Sequence, residues 1–197
     1  MQAKYFFQLL ALSALWGLSF IMTRIAAPAL GPNVSAGLRM LLATITLSIL
    51  MRVLKHPWPW QHWRELVLLG FLAVAGPHFL YSWAALTLPS GYGALLSITA
   101  VLFGAFASSW LKEEELTRVK WAGCALGMLG VALLIRLGPM DPTAALVQGA
   151  LTCMAAAAIS GTATPLLKRA TQNMEPLAAT TGMHAAAVLM LAPGALY

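Results

Sequence analysis

Four side chains inside long apolar runs have the chemistry to recognise a small molecule: Trp16, Arg39, His78 and Tyr81. Arg39 offers a positive charge to a carboxylate or another anion, and His78 can exchange a proton. Tyr81 follows His78 by three residues and Trp16 follows Ser13 by three, so each pair shares one face of a helix. The sequence therefore predicts a substrate-binding site that contains these four side chains.

Each of these side chains also has a purely structural interpretation. Arg39 can extend from near a helix end to the membrane interface, His78 can hydrogen-bond a neighbouring helix, and Trp16 can pack or face lipid. A charge at the centre of a membrane helix costs roughly 2.5–3.5 kcal/mol on insertion scales. Polar residues inside membranes are commonly functional, so both interpretations stay open at this stage.

The composition places the chain in a membrane. Of its 197 residues, 60% are hydrophobic and 9% are charged, whereas about a quarter of a soluble domain is charged. The net charge of +6 is spread singly between apolar segments, so no nucleic-acid partner is expected. Membrane lipid and a small-molecule substrate are the expected partners. No GxSG, HExxH or Asp-rich metal motif is present, so we expect no enzyme, no metal and no cofactor.

Seven segments have the length and apolarity of membrane-spanning helices. They cover residues 5–27, 34–52, 65–86, 91–111, 118–137, 145–167 and 177–197. Turn and helix-breaking residues separate them, among them KEEELT at 112–117, GPMDP at 138–142 and KRATQNMEP at 168–176. The sequence predicts an all-α, polytopic membrane helix bundle.

The basic residues predict the orientation of the bundle. A cytoplasmic N-terminus puts nine of the twelve in cytoplasmic segments, as Lys and Arg prefer. Arg136 then flanks an outer loop, while Arg24 and Arg39 lie near the outer ends of their spans. Arg24 is expected to extend to the interface. We expect a multi-pass protein of the plasma (cytoplasmic) membrane.

The third span is interrupted by Gly76-Pro77-His78. Proline leaves a backbone carbonyl without its helical partner, and such a break is tolerated at membrane depth only where protein or a water-filled cavity covers it. His78 is therefore expected to face the interior of the bundle.

An offset of 144 residues pairs Gly17 with Gly161, Arg24 with Lys168 and Pro32 with Pro176. This match predicts a five-helix repeat at 1–137 and the start of a second repeat at 145–197. An odd number of helices would insert the second copy upside down, the inverted repeat typical of secondary transporters. The chain ends inside this second copy, so the pattern predicts either a fragment of a ten-helix protein or the loss of most of the second half.

The chain resembles the drug/metabolite transporter superfamily, specifically its EamA-domain type. The stretches that carry the likeness are ALWGLSFIMTR (14–24), GLRMLLA (37–43), LPSGYGALLSITAVLFGAF (88–106) and LKEEELTRVKWAGCALGMLGVALL (111–134). The resemblance covers the first repeat fully and the second only through its opening. Ala100 stands where the family usually has a proline, and Ile159-Ser160-Gly161 replaces a common aromatic residue.

The resemblance implies an exporter of small metabolites or drugs that works by alternating access, with ten helices and cytoplasmic termini. The alternative is an oligomeric membrane subunit, or a non-transporting remnant that acts as a scaffold. Gly123, Gly127 and Gly130 form a small-residue ridge that predicts helix packing and offers a homodimer surface. We expect that the 197-residue chain alone does not transport.

Overall fold

The computed structural model describes residues 3–113, 117–137 and 143–195, and over these ranges its regular elements are all helices, with no strand. The α-helices are α1 Ala3–Leu30, α2 Pro32–Val53, α3 Trp63–Leu69, α4 Gly76–Ala84, α5 Ser90–Ser97, α6 Thr99–Trp110, α7 Arg118–Leu137, α8 Ala144–Asn173 and α9 Pro176–Leu191. Short 3₁₀ turns cover Trp60–His62 and Pro193–Ala195, and Gly70–Ala75 is π-helical. Residues 114–116 of the KEEELT loop, the whole GPMDP loop, the Arg136 side chain and Tyr197 lie outside the described residues.

Each of the seven predicted spans contains helix over its described residues, which confirms a polytopic helical bundle. The seventh helix is shorter than the predicted 177–197, because α9 ends at Leu191. Five segments are long and apolar enough to cross a membrane, beginning at Lys4, Pro32, Trp60, Ser90 and Ala144. The α9 helix is also apolar but has only 16 residues. The third span joins α3, the π-helical segment and α4, and the fourth joins α5 and α6.

The π-helical segment is explained by the proline that follows it. Pro77 has no amide hydrogen to donate to the carbonyl four residues back, and its ring crowds that position. The backbone widens instead, and the amide of Gly76 donates to Phe71, five residues back. Isolated π-turns of this kind often occur at functional sites.

The fourth span is interrupted at Ile98 without any proline. The amide of Ile98 donates to Leu95 and the amide of Val101 donates to Ile98, both three residues back. Such bonds tighten the helix locally into a 3₁₀ turn. This span is therefore interrupted even though Ala100 stands where the family usually has a proline.

The α8 helix lies at the centre of the bundle and packs against α4, α5 and α6. Its closest approach is at Gly161, where an added Cβ would overlap the Ala100 carbonyl oxygen and stand 3.0 Å from the Phe103 Cβ. The small side chains on both helices permit this spacing. On the other side of the bundle, α9 packs against α2 around buried Met40 and Met183.

Two helices that end at the same side of the bundle finish in the same way. Lys55 after α2 and Lys112 after α6 adopt left-handed backbone with φ of 58° and 56°. In both turns the lysine amide and the next amide bond carbonyls three and five residues back, which is the Schellman motif. The residues that follow contact charged side chains: His56 Nδ1 lies 2.7 Å from a Glu175 carboxylate oxygen, and Glu113 forms an ion pair with Arg169.

One local expectation is corrected. The loop predicted at 168–176 is shorter, because α8 continues through Lys168, Arg169 and Gln172 to Asn173, and Ala, Lys, Arg and Gln all favour helix. For Arg24 the structure adds a partner that the sequence did not predict: its guanidinium donates to the Ala85 carbonyl, just after α4. A cation at this position is favoured by the helix dipole.

Candidate functional site

A cavity of about 480 Å³ lies among α1, α2, α4, α5, α6 and α8 and the π-helical segment. All four residues singled out from the sequence line it: Trp16 from α1, Arg39 from α2, and His78 and Tyr81 from α4. Because these side chains come from three different spans, only the tertiary packing of the bundle brings them together. Pro77 of the third span and Ile98 of the fourth span, where these helices are interrupted, also line this cavity.

Arg39 is held against α1 by Thr23. A guanidinium nitrogen of Arg39 lies 3.4 Å from the Thr23 hydroxyl oxygen, a long hydrogen bond. The Thr23 hydroxyl in turn donates to the Ser19 carbonyl at 2.8 Å. A guanidinium has five N–H donors, so one bond to Thr23 leaves donors for a carboxylate in the cavity.

His78 has a defined hydrogen-bonding role. Its Nδ1 lies 2.8 Å from the carbonyl oxygen of Val74, and a carbonyl only accepts, so Nδ1 carries the hydrogen. In a neutral ring, Nε2 is then an acceptor. The His78 side of the cavity can therefore accept a hydrogen bond from a hydroxyl, an amide or an ammonium group, whereas the Arg39 side only donates hydrogen bonds.

Aromatic side chains form the apolar wall of the cavity. The rings of Tyr81 and Phe20 meet edge to face, with centroids 5.8 Å apart and an interplanar angle of 81°. The Tyr81 hydroxyl lies beside Ser160 of α8, and Trp16 adds a third ring from α1. This wall fits a ligand with an apolar or aromatic portion.

The cavity is open towards the side of the bundle. Trp16 is 64% exposed, and Arg39 is also exposed. A groove of about 370 Å³ between α1 and α2 shares Ser19, Thr23 and Arg39 with the cavity. Arg39 therefore contacts both the interior of the bundle and the outer face of α1 and α2.

Phe20, Thr23 and Ser160 are lining residues that the sequence interpretation missed. Trp16, Phe20 and Thr23 are spaced i, i+4 and i+7, and this spacing places them on one helical face. Extending the Trp16 face along α1 would have found two of the three. Ser160 carries no comparable local signal, since its position depends on how α8 packs against α4.

Two other residue groups lie outside this cavity. His184 is absent from its lining, and its Nδ1 donates to the Thr180 carbonyl at 2.8 Å. On the glycine ridge of α7, a Cβ added at Gly127 would meet Leu102 at 3.4 Å, whereas Gly123 and Gly130 face open space. Within the described ranges no group of three His, Cys, Asp or Glu side chains could hold a metal ion.

Comparison with known proteins identifies a family. Residues 3–136 match the EamA-like transporter family. The chain is 31% identical over 130 residues to the uncharacterized transporter YdfC of Bacillus subtilis, covering 66% of this chain and 42% of YdfC. It is 31% identical over 129 residues to the uncharacterized inner membrane transporter YedA of Escherichia coli K12, with 64% and 42% covered.

A third relative carries a more specific name. A probable amino-acid metabolite efflux pump of Salmonella typhimurium is 28% identical over 138 residues, which cover 68% of this chain and 44% of the pump. The matched region thus spans less than half the length of each of these relatives. No solved structure matches the chain.

Proposed function

The chain belongs to the EamA-like transporter family, and on this premise we propose that it exports small metabolites or drugs across the cytoplasmic membrane by alternating access. The observation that carries the proposal is the cavity in which Trp16, Arg39, His78 and Tyr81 converge. It offers one cation, one histidine and an aromatic wall, the mixture of polar anchors and apolar surface that a small-molecule site requires.

The charge of the lining favours an anionic substrate. Arg39 is the formally charged side chain among the described lining residues, and no carboxylate accompanies it. A carboxylate can accept hydrogen bonds from the guanidinium, while an apolar group packs on the rings of Trp16, Phe20 and Tyr81. A relative is named a probable amino-acid metabolite efflux pump, and a carboxylate is the group that amino acids and most of their derivatives share. We therefore propose amino-acid-derived carboxylates with an apolar substituent as the substrate class.

The two irregular helix segments support a conformational cycle. The π-helical segment Gly70–Ala75 and the tightened turn at Ile98 adjoin the cavity from the third and fourth spans. At such points a helix bends at little cost, because its hydrogen-bond ladder is already irregular. In our proposal these segments bend as an inverted second repeat moves against the first, with the N-terminus cytoplasmic. In this scheme residues 1–137 are the first repeat and residues 145–197 are the start of the second.

A second candidate function rests on the glycine ridge of α7. Gly123 has no heavy atom of the described residues within 4 Å of an added Cβ, so this end of the ridge is free to pack against another helix, while Gly127 and Gly130 line a groove beside Leu102 of the same chain. A homodimer through Gly123, Gly127 and Gly130 would support the subunit or scaffold role. Cross-linking between cysteines placed at Gly123 in two copies tests this candidate independently of transport.

The exporter proposal is tested by efflux from cells that express the complete native gene product, since the 197 residues alone are expected not to transport. Cells are loaded with radiolabelled N-acetyl-leucine, N-acetyl-phenylalanine or their neutral amides, and the retained label is followed over time. Arg39→Gln is expected to slow efflux of the carboxylates to the rate of cells without the protein. Arg52→Gln is the matched control, because Arg52 lies on the same helix, at its end and outside the cavity. Carboxylate efflux that exceeds the rate of cells without the protein and is the same with Arg39→Gln as with the native residue would contradict the proposal.

A further inference from the structure

We propose that the groove between α3 and α9 binds the acyl chain of an anionic phospholipid, whose phosphate lies at Arg64. The groove has a volume of about 530 Å³ and lies apart from the cavity described above. Its walls are Leu66 and Val67 of α3 and Ala185, Ala186 and Leu189 of α9. This surface is apolar along its whole length and matches hydrocarbon.

The small residues of α9 are the reason that the groove exists. Gly182 lies so close to α3 that an added Cβ would stand 2.8 Å from a methyl carbon of Leu66. The two helices therefore meet at Gly182, and the alanines that follow on the same face leave the space beside them open. An acyl chain fills such a space without any change in the helix positions.

The mouth of the groove has the composition of a headgroup region. Trp58, Trp60 and Trp63 line it, and the rings of Trp58 and Trp60 stack with centroids 5.7 Å apart. Tryptophan concentrates at the level of the lipid headgroups. The groove therefore runs from the headgroup level at the tryptophans towards the hydrocarbon at Leu189.

The charges near the mouth select for an anion. The Arg64 guanidinium lies over the Trp63 ring, 5.4 Å from its centroid, directly at the edge of the groove. The acidic side chains of this region contact histidines, Glu65 at 3.7 Å from His62 and Glu175 at 2.7 Å from His56, and neither forms an ion pair with Arg64. Among the described residues Arg64 has no ion pair with a carboxylate, so it can bind a lipid phosphate. Basic residues beside a groove between membrane helices are typical of anionic-lipid sites.

The test is native mass spectrometry of the purified protein in detergent, titrated with phosphatidylglycerol or with phosphatidylcholine of the same acyl chains. The native chain is expected to bind phosphatidylglycerol more tightly. Arg64→Gln is expected to weaken phosphatidylglycerol binding about fivefold, the effect of one basic side chain near a membrane surface, and to leave phosphatidylcholine unchanged. Arg118→Gln, at the first residue of α7, is the matched control and is expected to have no effect.

A second variant tests the groove rather than the charge. Ala185→Leu places a larger side chain in the groove and is expected to weaken the binding of both lipids, while helix content by circular dichroism stays that of the native chain. Equal affinity of the native chain for the two lipids would overturn the assignment of an anionic headgroup. Unchanged lipid binding by Ala185→Leu would overturn the groove as the site, and the headgroup would then bind elsewhere on the protein.

Discussion

Replacing Gly161 by alanine is expected to destabilise the bundle, although alanine is the better helix former. The added Cβ would overlap the Ala100 carbonyl oxygen and stand 3.0 Å from both the Gly104 amide nitrogen and the Phe103 Cβ. None of these atoms is the flexible end of a side chain, so α6 and α8 must move apart. The α8 helix is also closely packed twelve residues earlier, since at Gly149 an added Cβ would overlap the hydroxyl oxygen of Thr87.

The magnitude is best measured against Gly17→Ala. Gly17 lies in α1 and has no heavy atom within 4 Å of an added Cβ. Both substitutions gain the same helix propensity, about 1 kcal/mol, so this gain cancels when the two variants are compared. What remains is the cost of overpacking, typically about 1–3 kcal/mol. Gly161→Ala should therefore be less stable than Gly17→Ala by about this amount.

The assay is reversible unfolding in mixed micelles, with sodium dodecyl sulfate added to the purified protein and helicity followed by circular dichroism. The midpoint for Gly17→Ala is expected at or above that of the native chain, and the midpoint for Gly161→Ala below it. The pair is informative because the offset of 144 residues makes the two glycines equivalent in sequence. Equal midpoints for the two variants would refute the packing argument at Gly161.

Three further predictions follow from individual contacts. Thr23→Val removes the hydroxyl that holds Arg39, so the KM for carboxylate efflux should rise severalfold while the KM for a neutral amide stays unchanged. Equal changes in the two KM values would instead show a general packing defect. Lys55→Gly relieves the strain of a left-handed backbone and should raise the free energy of unfolding by about 1 kcal/mol, measured by the same unfolding titration. A free energy of unfolding below that of the native chain would mean that the lysine side chain stabilises the fold by more than the backbone strain costs. Glu113→Gln breaks the ion pair with the half-exposed Arg169 and should lower the stability of the protein by less than about 1 kcal/mol. A larger loss of stability in thermal unfolding would show that this pair joins α6 to α8 more strongly than an ordinary surface pair.

The positions of the spans follow from composition, because lipid demands long apolar helices wherever the chain crosses the membrane. The end of α8 was harder to predict, since the charged run after Leu167 signals the membrane boundary but its residues still favour helix. Charge therefore marks where a span leaves lipid and not where its helix stops. Sequence alone also cannot show that Met174 and Glu175 suffice to separate α8 from α9.

The residues of the candidate site also differ in how well the sequence predicts them. Arg39 and His78 stand out because each is costly in an apolar run, and Tyr81 follows from helical spacing. Thr23 and Ser160 look ordinary, because threonine and serine in membrane helices usually bond their own backbone, as both do here. Their role depends on which side chains of other spans face them, and the sequence around each residue does not predict how distant spans pack together.

The central claim is that a carboxylate binds beside Arg39 in this cavity. Its most direct test is equilibrium binding of radiolabelled N-acetyl-leucine to the purified protein, compared with its neutral amide, for the native chain and Arg39→Gln. A hydrogen bond to a charged group contributes about 1.5–3 kcal/mol, so Arg39→Gln should weaken carboxylate binding at least tenfold and leave amide binding unchanged. Carboxylate binding that is as tight with glutamine at this position would contradict the account.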